Sequence, residues 1–365
     1  MALTAGIIGL PNVGKSTLFN AITKASAYCA NYPFATIEPN VGVVEVKDKR
    51  LDDIVNIIHP RSIVPTSFSF TDIAGLVKGA SKGEGLGNQF LSHIRDVDAV
   101  CQVVRCFEND NIIHVNGKVD PVDDIDTINL ELILADLEVV EKRIPKIEKK
   151  AQLKVDKDAV YEYEILKKLQ AAFLENIPAR NVELSEEEKL FIKNYQFLTL
   201  KPMIYVANVG EKDILTGNKY VDQVKEIALK EGTKVITVCA QIEEELIALD
   251  EEDREMFLED LGIQESGLDA LVKEAYRILG LCTFFTAGEQ ECRAWTFRKG
   301  MTAPKCAGVI HSDFERGFIK AETYTYDDLM LYGTPLKVKE AGKVRMEGKE
   351  YVVQDGDIML FRFNV

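Results

Sequence analysis

A glycine-rich segment near the start of the chain constrains its fold more than any other feature. Residues 9–16 read Gly-Leu-Pro-Asn-Val-Gly-Lys-Ser, which matches the pattern Gly-x-x-x-x-Gly-Lys-Ser/Thr. An apolar stretch at residues 5–8 precedes the pattern, and a helical stretch at residues 16–23 follows it. In such a strand–loop–helix unit, backbone N–H groups converge on an anion and the helix dipole adds positive charge. The segment therefore predicts a phosphate-binding loop that follows a strand of an α/β sheet.

The side chains of this loop have separate expected roles. Lys15 should reach the β- and γ-phosphates of a nucleoside triphosphate, and the Ser16 hydroxyl should bind Mg²⁺. The alternative, a structural glycine-rich turn, does not require the strand and helix that flank the segment. The predicted nucleotide contacts here are Asn12, Val13, Gly14, Lys15, Ser16 and Thr17.

Further residues in the first hundred indicate a nucleotide-dependent switch. Asp72 ends a predicted strand, where its carboxylate can hold the Mg²⁺ shell, and the Gly75 N–H can then contact the γ-phosphate. Thr36 lies between the first helix and the second strand, where a threonine can complete the metal sphere. Glycines recur through residues 75–87, which predicts a mobile segment that orders around the γ-phosphate. The predicted metal ligands are thus Ser16, Thr36 and Asp72.

The chain divides into two α/β stretches around a helical one. Short apolar strands alternate with helices over residues 3–128, and the pattern resumes after residue 200. Between them, apolar residues repeat at heptad spacing over residues 130–151, although Pro145 should kink or interrupt that helix. Residues 129–200 are therefore predicted to form an inserted helical hairpin, with an ordinary pair of surface helices as the alternative.

The pattern of predicted strands and helices changes again after residue 280. Short strand-like pieces surround one helix candidate, and an Asp-Gly turn at residues 355–356 precedes the last strand. This pattern predicts a small α+β module. The expected domains are residues 1–280, an α/β P-loop domain carrying the hairpin, and residues 281–365.

Net charge and apolar content limit which nucleic acids and membranes the protein is expected to bind. The 365-residue chain has a net charge of −15, which argues against sequence-blind DNA or RNA binding by its whole surface. No apolar run reaches the roughly 20 residues of a membrane span, and the start lacks the basic region of a signal peptide. A cytoplasmic protein is expected. Basic side chains nevertheless concentrate at Lys142, Arg143, Lys146, Lys149, Lys150 and Lys154, and at Arg293, Arg298, Lys299, Lys305, Arg316 and Lys320.

Four stretches closely resemble the YchF/Obg-like ATPase family of P-loop proteins. They are residues 9–20, 31–40, 72–90 and 105–115, and the region from 317 to the end adds to the resemblance. The resemblance implies an Obg-type G domain with an inserted hairpin and a C-terminal TGS module of β-grasp fold. It also implies ATP and ADP as ligands and association with the ribosome, either its large subunit or the 70S particle. The two basic clusters are the expected ribosomal RNA contacts, with ordinary solvated faces as the alternative.

The segment after the predicted strand 202–207 bears on the choice of base. GTPases of this class carry Asn-Lys-x-Asp there, whereas this chain has Asn208, Val209, Gly210 and Glu211. Asn208 can donate and accept hydrogen bonds, which suits adenine, and the segment resembles the family's ATP-associated variant. Asn208, Val209 and Glu211 are therefore predicted to contact adenine. Asn218 is not expected to do so, because it does not follow a strand.

The sequence points less directly to the residue that promotes hydrolysis than to those that bind the phosphates. Leu76 stands where many small GTPases carry a water-orienting glutamine. Asn12 resembles the asparagine of potassium-activated members, so K⁺ is an expected activator beside Mg²⁺. His114 resembles a family histidine proposed for hydrolysis, with a packed or capping histidine as the alternative. Three functions remain open at this point: a slow ATPase switch on the ribosome, a conventional GTPase, and a nucleotide-gated binding protein with incidental turnover.

Overall fold

The structure, a computed structural model, describes residues 3–29, 40–74, 86–114 and 117–364. Its strands are, in chain order, β1 (Thr4–Gly9), β2 (Val41–Glu45), β3 (Ser62–Val64), β4 (Ser67–Asp72), β5 (Ala99–Arg105), β6 (Met203–Asn208), β7 (Val235–Val238), β8 (Leu281–Ala287), β9 (Glu291–Arg298), β10 (Phe318–Thr325), β11 (Arg345–Glu347) and β12 (Asp357–Phe363). Its helices are α1 (Lys15–Cys29), α2 (Lys49–Ile58), α3 (Leu86–Asp96), α4 (Pro121–Gln152), α5 (Lys157–Leu174), α6 (Glu186–Phe191), α7 (Lys219–Glu231), α8 (Ala240–Leu246), α9 (Glu251–Asp260), α10 (Gly267–Ile278), α11 (Ala303–Ile310), α12 (Ser312–Arg316), α13 (Tyr326–Tyr332) and α14 (Pro335–Glu340).

The first sheet has the strand order β2-β4-β1-β5-β6-β7. The pairs β1–β4, β1–β5, β5–β6 and β6–β7 are all parallel. Every residue of β5 and β6 is buried, as expected for central strands of a parallel sheet covered on both faces. Because parallel strands end at one edge, the register brings Gly9, Asp72, Arg105 and Asn208 to that edge. The predicted α/β class is confirmed.

Helices α4 and α5 form the predicted hairpin, in a cluster with residues 179–197. The hairpin begins earlier than expected, because Asp120 caps α4 and Pro121 occupies its first turn. The seam residues Ile133, Val140 and Ile144 are buried against α5. Ser185 and Glu188 form a capping box at the start of α6.

Pro145 does not interrupt the hairpin, so of the two predicted effects, a kink or an interruption, the interruption is absent. Helix α4 runs without a break from Pro121 to Gln152, with Pro145 inside it and exposed. The buried neighbours Ile144 and Ile147 flank the proline on the seam. Their packing offsets the one backbone hydrogen bond that a proline removes. Further along the chain, α8 and α9 are separate helices, because Asp250 caps the start of α9.

The second sheet has the order β11-β10-β12-β8-β9-β3. Strand β12 pairs parallel to β8 and antiparallel to β10, which gives the mixed sheet predicted for a β-grasp module. Neighbouring residues point to opposite faces, so Phe284 packs with α11 and Phe285 packs with α2. Helices therefore cover both faces. A single isolated bridge joins Thr302 to Val352.

The chain folds as two compact units that do not follow the sequence in simple order. Within the described residues, the first contains 3–28, 40–42 and 69–271, and the second contains 43–68 and 272–364. Residues 43–68 join the second unit because β3 pairs with β9 and because Arg50 bonds Asp355 at 2.9 Å. The predicted boundary at residue 280 did not anticipate this segment and stays a prediction. Among the described helices, none is both long and apolar enough for a membrane crossing.

Candidate nucleotide site

The turn between β1 and α1 has the backbone of an anion-binding loop. Asn12 and Gly14 have φ angles of 63° and 92°, and α1 begins at Lys15. Glycine adopts such angles freely and asparagine tolerates them. A Cβ atom at Gly14 would lie 2.0 Å from Asn208 Nδ2, so a side chain there would also collide with the last residue of β6. The second glycine of the motif is therefore needed for both conformation and space.

Lys15 and Asp72 contact each other at the carboxyl edge of the first sheet. The Lys15 ammonium donates to Asp72 Oδ1, and the two side chains are 11% and 23% exposed. Asp72 is the last residue of β4, and Ile7 of β1 is its partner in register. The structure thus brings together two of the residues predicted for phosphate and metal. Ser16 and Thr17 follow in the first turn of α1, and the Ser16 side chain is exposed.

The oxygen donors of Asp72 and Ser16 are of the kind that Mg²⁺ prefers. Asp72 offers a carboxylate and Ser16 a hydroxyl, the hard oxygen donors that Mg²⁺ takes beside phosphate and water. Among the described residues, no cluster of three or more His, Cys, Asp or Glu could hold a metal ion. Thr36, Gly75 and Leu76 lie outside the described residues.

Asn208, at the end of β6, links two loops of the first unit through its side chain. Its side chain is 5% exposed; Nδ2 donates to Val13 O at 2.9 Å and Oδ1 accepts from Ala240 N at 3.1 Å. Both polar ends of the amide therefore bond the main chain, one in the phosphate loop and one at the start of α8. The predicted contact of Asn208 with adenine stays a prediction, and its observed role is to bridge two loops.

The neighbours of Asn208 differ in exposure. Val209 is 2% exposed, and its N–H donates to Val238 O at 2.9 Å. Glu211 is exposed at the start of a 3-10 turn that follows β6. Gln241 is also exposed, in the first turn of α8. Of the three residues predicted for adenine, Glu211 alone has a side chain open to solvent.

Asn218 serves as the N-cap of α7. Its Oδ1 accepts from the backbone N–H groups of Tyr220 and Val221 in the first turn of α7. Its Nδ2 donates to Cys106 O at 2.8 Å. The amide is fully used by these contacts, which agrees with its exclusion from the base-contacting set.

A loop at residues 106–114, called here the 106–114 loop, borders the phosphate loop. Asn12 Nδ2 donates to Ile113 O at 3.1 Å. The next residue, His114, is 5% exposed, and its Nε2 lies 3.0 Å from Asp124 Oδ2 in the first turn of α4. Burial raises the pKa of the Asp124 carboxyl, against the opposing effect of His114. The structure thus places His114 one residue from a phosphate-loop contact, with its imidazole against the hairpin.

Sequence reasoning missed two parts of this arrangement. Asp124 carries a weak signal, because Asp120, Pro121 and the acidic residues after them are typical of a helix start. The link between Asn208 and Val13 spans 195 positions, so no local pattern could reveal it.

The predicted basic clusters are partly neutralised. In the hairpin group, Lys142 contacts Glu138, and Arg143 Nε bonds Glu162 at 2.6 Å. In the C-terminal group, Lys305 bonds Glu315 and Arg316 contacts Asp313. Exposed lysines without an ion pair to any described residue remain toward the hairpin tip: Lys146, Lys149, Lys150 and Lys154.

Comparisons with known proteins agree with this architecture. One family model, described as a 50S ribosome-binding GTPase, matches residues 4–144. Another, for the C-terminal region of YchF GTPases and described as a protein of unknown function, matches residues 281–364. The solved YchF GTPase of Schizosaccharomyces pombe superimposes with a TM-score of 0.89 at 41% identity, covering 99% of this chain and 97% of that chain.

Two bacterial relatives match over their full lengths. The ribosome-binding ATPase YchF of Bacillus subtilis is 65% identical, and that of Escherichia coli O157:H7 is 54% identical. In both cases the match covers 100% of this chain and 100% of the relative. The chain therefore belongs to the YchF family.

Proposed function

We propose that this protein is a Mg²⁺-dependent ATPase that hydrolyses ATP to ADP and phosphate and acts as a nucleotide-dependent switch on the ribosome. The observation that carries the proposal is the Lys15–Asp72 pair beside the N-terminus of α1. Full-length relatives named ribosome-binding ATPases support it. The proposed site of action is the cytoplasm.

The Lys15–Asp72 pair suits a change of partners on nucleotide binding. The ammonium can turn from the carboxylate to the β- and γ-phosphates, and the carboxylate then becomes available to the metal shell. When bound, Mg²⁺ would neutralise charge on the phosphate oxygens. The backbone N–H groups that follow Gly14 orient the triphosphate, and the helix dipole of α1 favours its charge. These residues thus bind and position ATP for attack by water.

The preference for ATP over GTP rests on the segment after β6. In Asn-Lys-x-Asp GTPases, a lysine stem covers the base and an aspartate accepts from guanine. Here Val209 is buried and Glu211 is one methylene longer. A conventional GTPase is the competing function. Equilibrium titration with non-hydrolysable ATP and GTP analogues, side by side, decides between them. We expect ATP to bind several-fold more tightly; equal or tighter GTP binding would reverse the assignment.

Asn12 supports activation by K⁺. The side chain is exposed, and its Oδ1 accepts no hydrogen bond from any described residue. An amide oxygen of this kind can replace water around a monovalent cation. With Leu76 in place of a water-orienting glutamine, added positive charge near the β–γ bridge is the proposed aid to hydrolysis. His114→Ala is expected to lower turnover and to leave ATP affinity unchanged.

The hairpin tip is the proposed contact with ribosomal RNA. The tip lysines face solvent without acidic partners in the described chain. Farther from the tip, Lys142 and Arg143 pair with Glu138 and Glu162. Phosphate contacts weaken as salt rises, because bound counterions are released on association. Sedimentation with purified ribosomes and an ATP analogue should therefore show binding that falls steeply with salt. Reversing Lys149 to Glu should weaken it, and the matched single reversal of the paired Lys142 should have a smaller effect.

A nucleotide-gated binding protein with incidental turnover is the remaining alternative. It is favoured by the long hairpin, which adds a binding surface to the nucleotide domain. The rate of dissociation from ribosomes in the presence of ATP distinguishes the two functions. A variant that binds ATP without hydrolysing it should stay on ribosomes longer than the wild type if turnover drives release. Equal dissociation of the two proteins in ATP would favour incidental turnover.

A further inference from the structure

Arg105 is a buried cation at the carboxyl edge of the first sheet. It is the last residue of β5 and is 1% exposed, among the largest fully buried side chains of the described chain. Burial lowers the pKa of its guanidinium, because charge is costly to remove from water. No carboxylate among the described residues lies within ion-pair distance of it. Such a cation needs other partners.

Three main-chain carbonyls of one loop provide them. Arg105 Nε donates to Phe107 O at 3.1 Å, Nη1 to Ile112 O at 3.0 Å and Nη2 to Asn109 O at 3.2 Å. The guanidinium also lies over the Phe107 ring, 4.6 Å from its centroid. A planar group with donors in a fixed fork can hold several carbonyls in one arrangement. Arg105 thus fixes the path of the 106–114 loop.

That loop contacts the nucleotide site at each end. At its start, Cys106 N donates to Asn208 O at 2.8 Å, on the strand that leads to the base. Near its end, Ile113 O accepts from Asn12 in the phosphate loop. Ile113 directly follows Ile112, whose carbonyl Arg105 holds. A shift of this carbonyl would therefore displace the acceptor of Asn12.

We propose that Arg105 is a positioning residue for the nucleotide site, which acts through the 106–114 loop to hold Asn12 and His114 in place. The inference rests on the proposed ATP hydrolysis. The Arg105 side chain bonds neither the phosphate loop nor the predicted base contacts; only its backbone lies beside one of them, as the register partner of Asn208. Its effect should therefore fall on turnover more than on ATP binding.

The test compares Arg105→Lys and Arg105→Met with the wild type. Lysine keeps the charge but cannot span three carbonyls, and methionine removes every donor. We expect Arg105→Lys to lower kcat roughly tenfold while KM for ATP changes by less than about twofold, because small misplacements at a site chiefly affect the chemical step. Arg105→Met should lower kcat further. An Arg105→Lys enzyme with wild-type kcat would overturn the proposal.

Amide hydrogen exchange supplies a readout that does not depend on activity. In Arg105→Lys, exchange should speed up in peptides covering residues 106–114 and also in those covering residues 9–17, with α5 unchanged. Faster exchange in the 106–114 loop alone would show that Arg105 only stabilises that loop, which would also overturn the proposal. If the wild type fails to hydrolyse ATP, the proposed function fails, and exchange in residues 9–17 still decides the role of Arg105.

Arg254→Lys is the matched control. Arg254 is a partly buried arginine whose Nη2 bonds Ser266 Oγ and Asp269 Oδ2, both at 3.1 Å. Its loss should lower stability and speed exchange around residues 250–269, without changing kcat. An equal drop in kcat for this variant would show that general loosening, and not the 106–114 loop, explains the effect at Arg105, and would overturn the proposal.

Discussion

The two ends of the nucleotide site are built on different principles. At the phosphate end, formed by residues 12–16 and Asp72, partly exposed charged groups contact each other. At the base end, formed by residues 208–211 and 239–243, buried polar groups bond the main chain. The difference shows which groups can change partners. A partly exposed ion pair is worth about 1 kcal/mol or less, whereas an unsatisfied buried polar group costs about 1–3 kcal/mol. The phosphate end can rearrange around a ligand, and the base end holds its shape.

The largest expected effect tests the phosphate end. Lys15→Ala removes the charge predicted to meet the β- and γ-phosphates, and should weaken ATP binding by about 100-fold or more. Calorimetric titration with a non-hydrolysable ATP analogue measures the loss. Lys24→Ala is the matched control, because Lys24 lies on the same helix and pairs with Glu244 at the surface. It should bind ATP normally. Retained affinity in Lys15→Ala would move the nucleotide to another site.

The next effect tests the base end. Asn208→Ala leaves Val13 O and Ala240 N without their partners, and should lower the free energy of unfolding by about 2–3 kcal/mol. ATP and GTP affinities should fall together, because the amide bridges two loops. Denaturant unfolding and paired titrations measure both quantities.

Asn218→Ala is the control for the Asn208 experiment. It removes a helix cap worth about 1 kcal/mol and should leave both affinities intact. A changed ratio of ATP affinity to GTP affinity in Asn208→Ala, with normal stability, would show that Asn208 contacts the base. The two ends of the site would then not differ in the way described.

The sequence predicted the phosphate end better than the base end, for a physical reason. The phosphate loop is a local motif, in which glycine spacing, a preceding strand and a following helix determine the conformation. The bridge made by Asn208 depends on Val13, 195 positions away, and on Ala240. Arg105 gave no signal, because its partners are main-chain carbonyls that any residue provides. Likewise, residues 43–68 join the second unit through pairing with β9, which no local pattern encodes.

A smaller effect concerns Glu243, which supports the base end from α8. Its carboxylate accepts from Gly267 N at 2.7 Å, and burial raises its pKa from 4.5 to about 7. The folded state therefore binds this proton more tightly than the unfolded state. The contribution of Glu243 to stability is full below about pH 4.5 and falls as the pH rises toward 7.

Glu243→Gln tests this dependence because glutamine cannot ionise. Relative to the wild type, the variant should gain about 2–3 kcal/mol in unfolding free energy between pH 5 and pH 8. Chemical denaturation at several pH values measures the difference. Asp136, whose pKa burial raises to about 6, titrates in both proteins, so its effect cancels. A pH-independent difference would show that Glu243 stays ionised and is fully compensated by backbone donors.

The smallest effect returns to the phosphate end and concerns Asn12. Its amide has two possible uses: Nδ2 donates to Ile113 O, while Oδ1 is open to a cation. If Oδ1 helps to hold K⁺, wild-type turnover should be several-fold faster in K⁺ than in Na⁺, a difference of about 1 kcal/mol in the barrier. Asn12→Ala should lose this preference. Asn20 is an exposed asparagine of α1, and Asn20→Ala should keep it.

Asn12→Asp separates the two uses, because aspartate keeps oxygen ligands but cannot donate a hydrogen bond to Ile113 O. Retained K⁺ preference in Asn12→Asp would assign the effect to the cation. A loss equal to that of Asn12→Ala would assign it to the contact with the 106–114 loop, and equal wild-type rates in the two salts would remove K⁺ from the site.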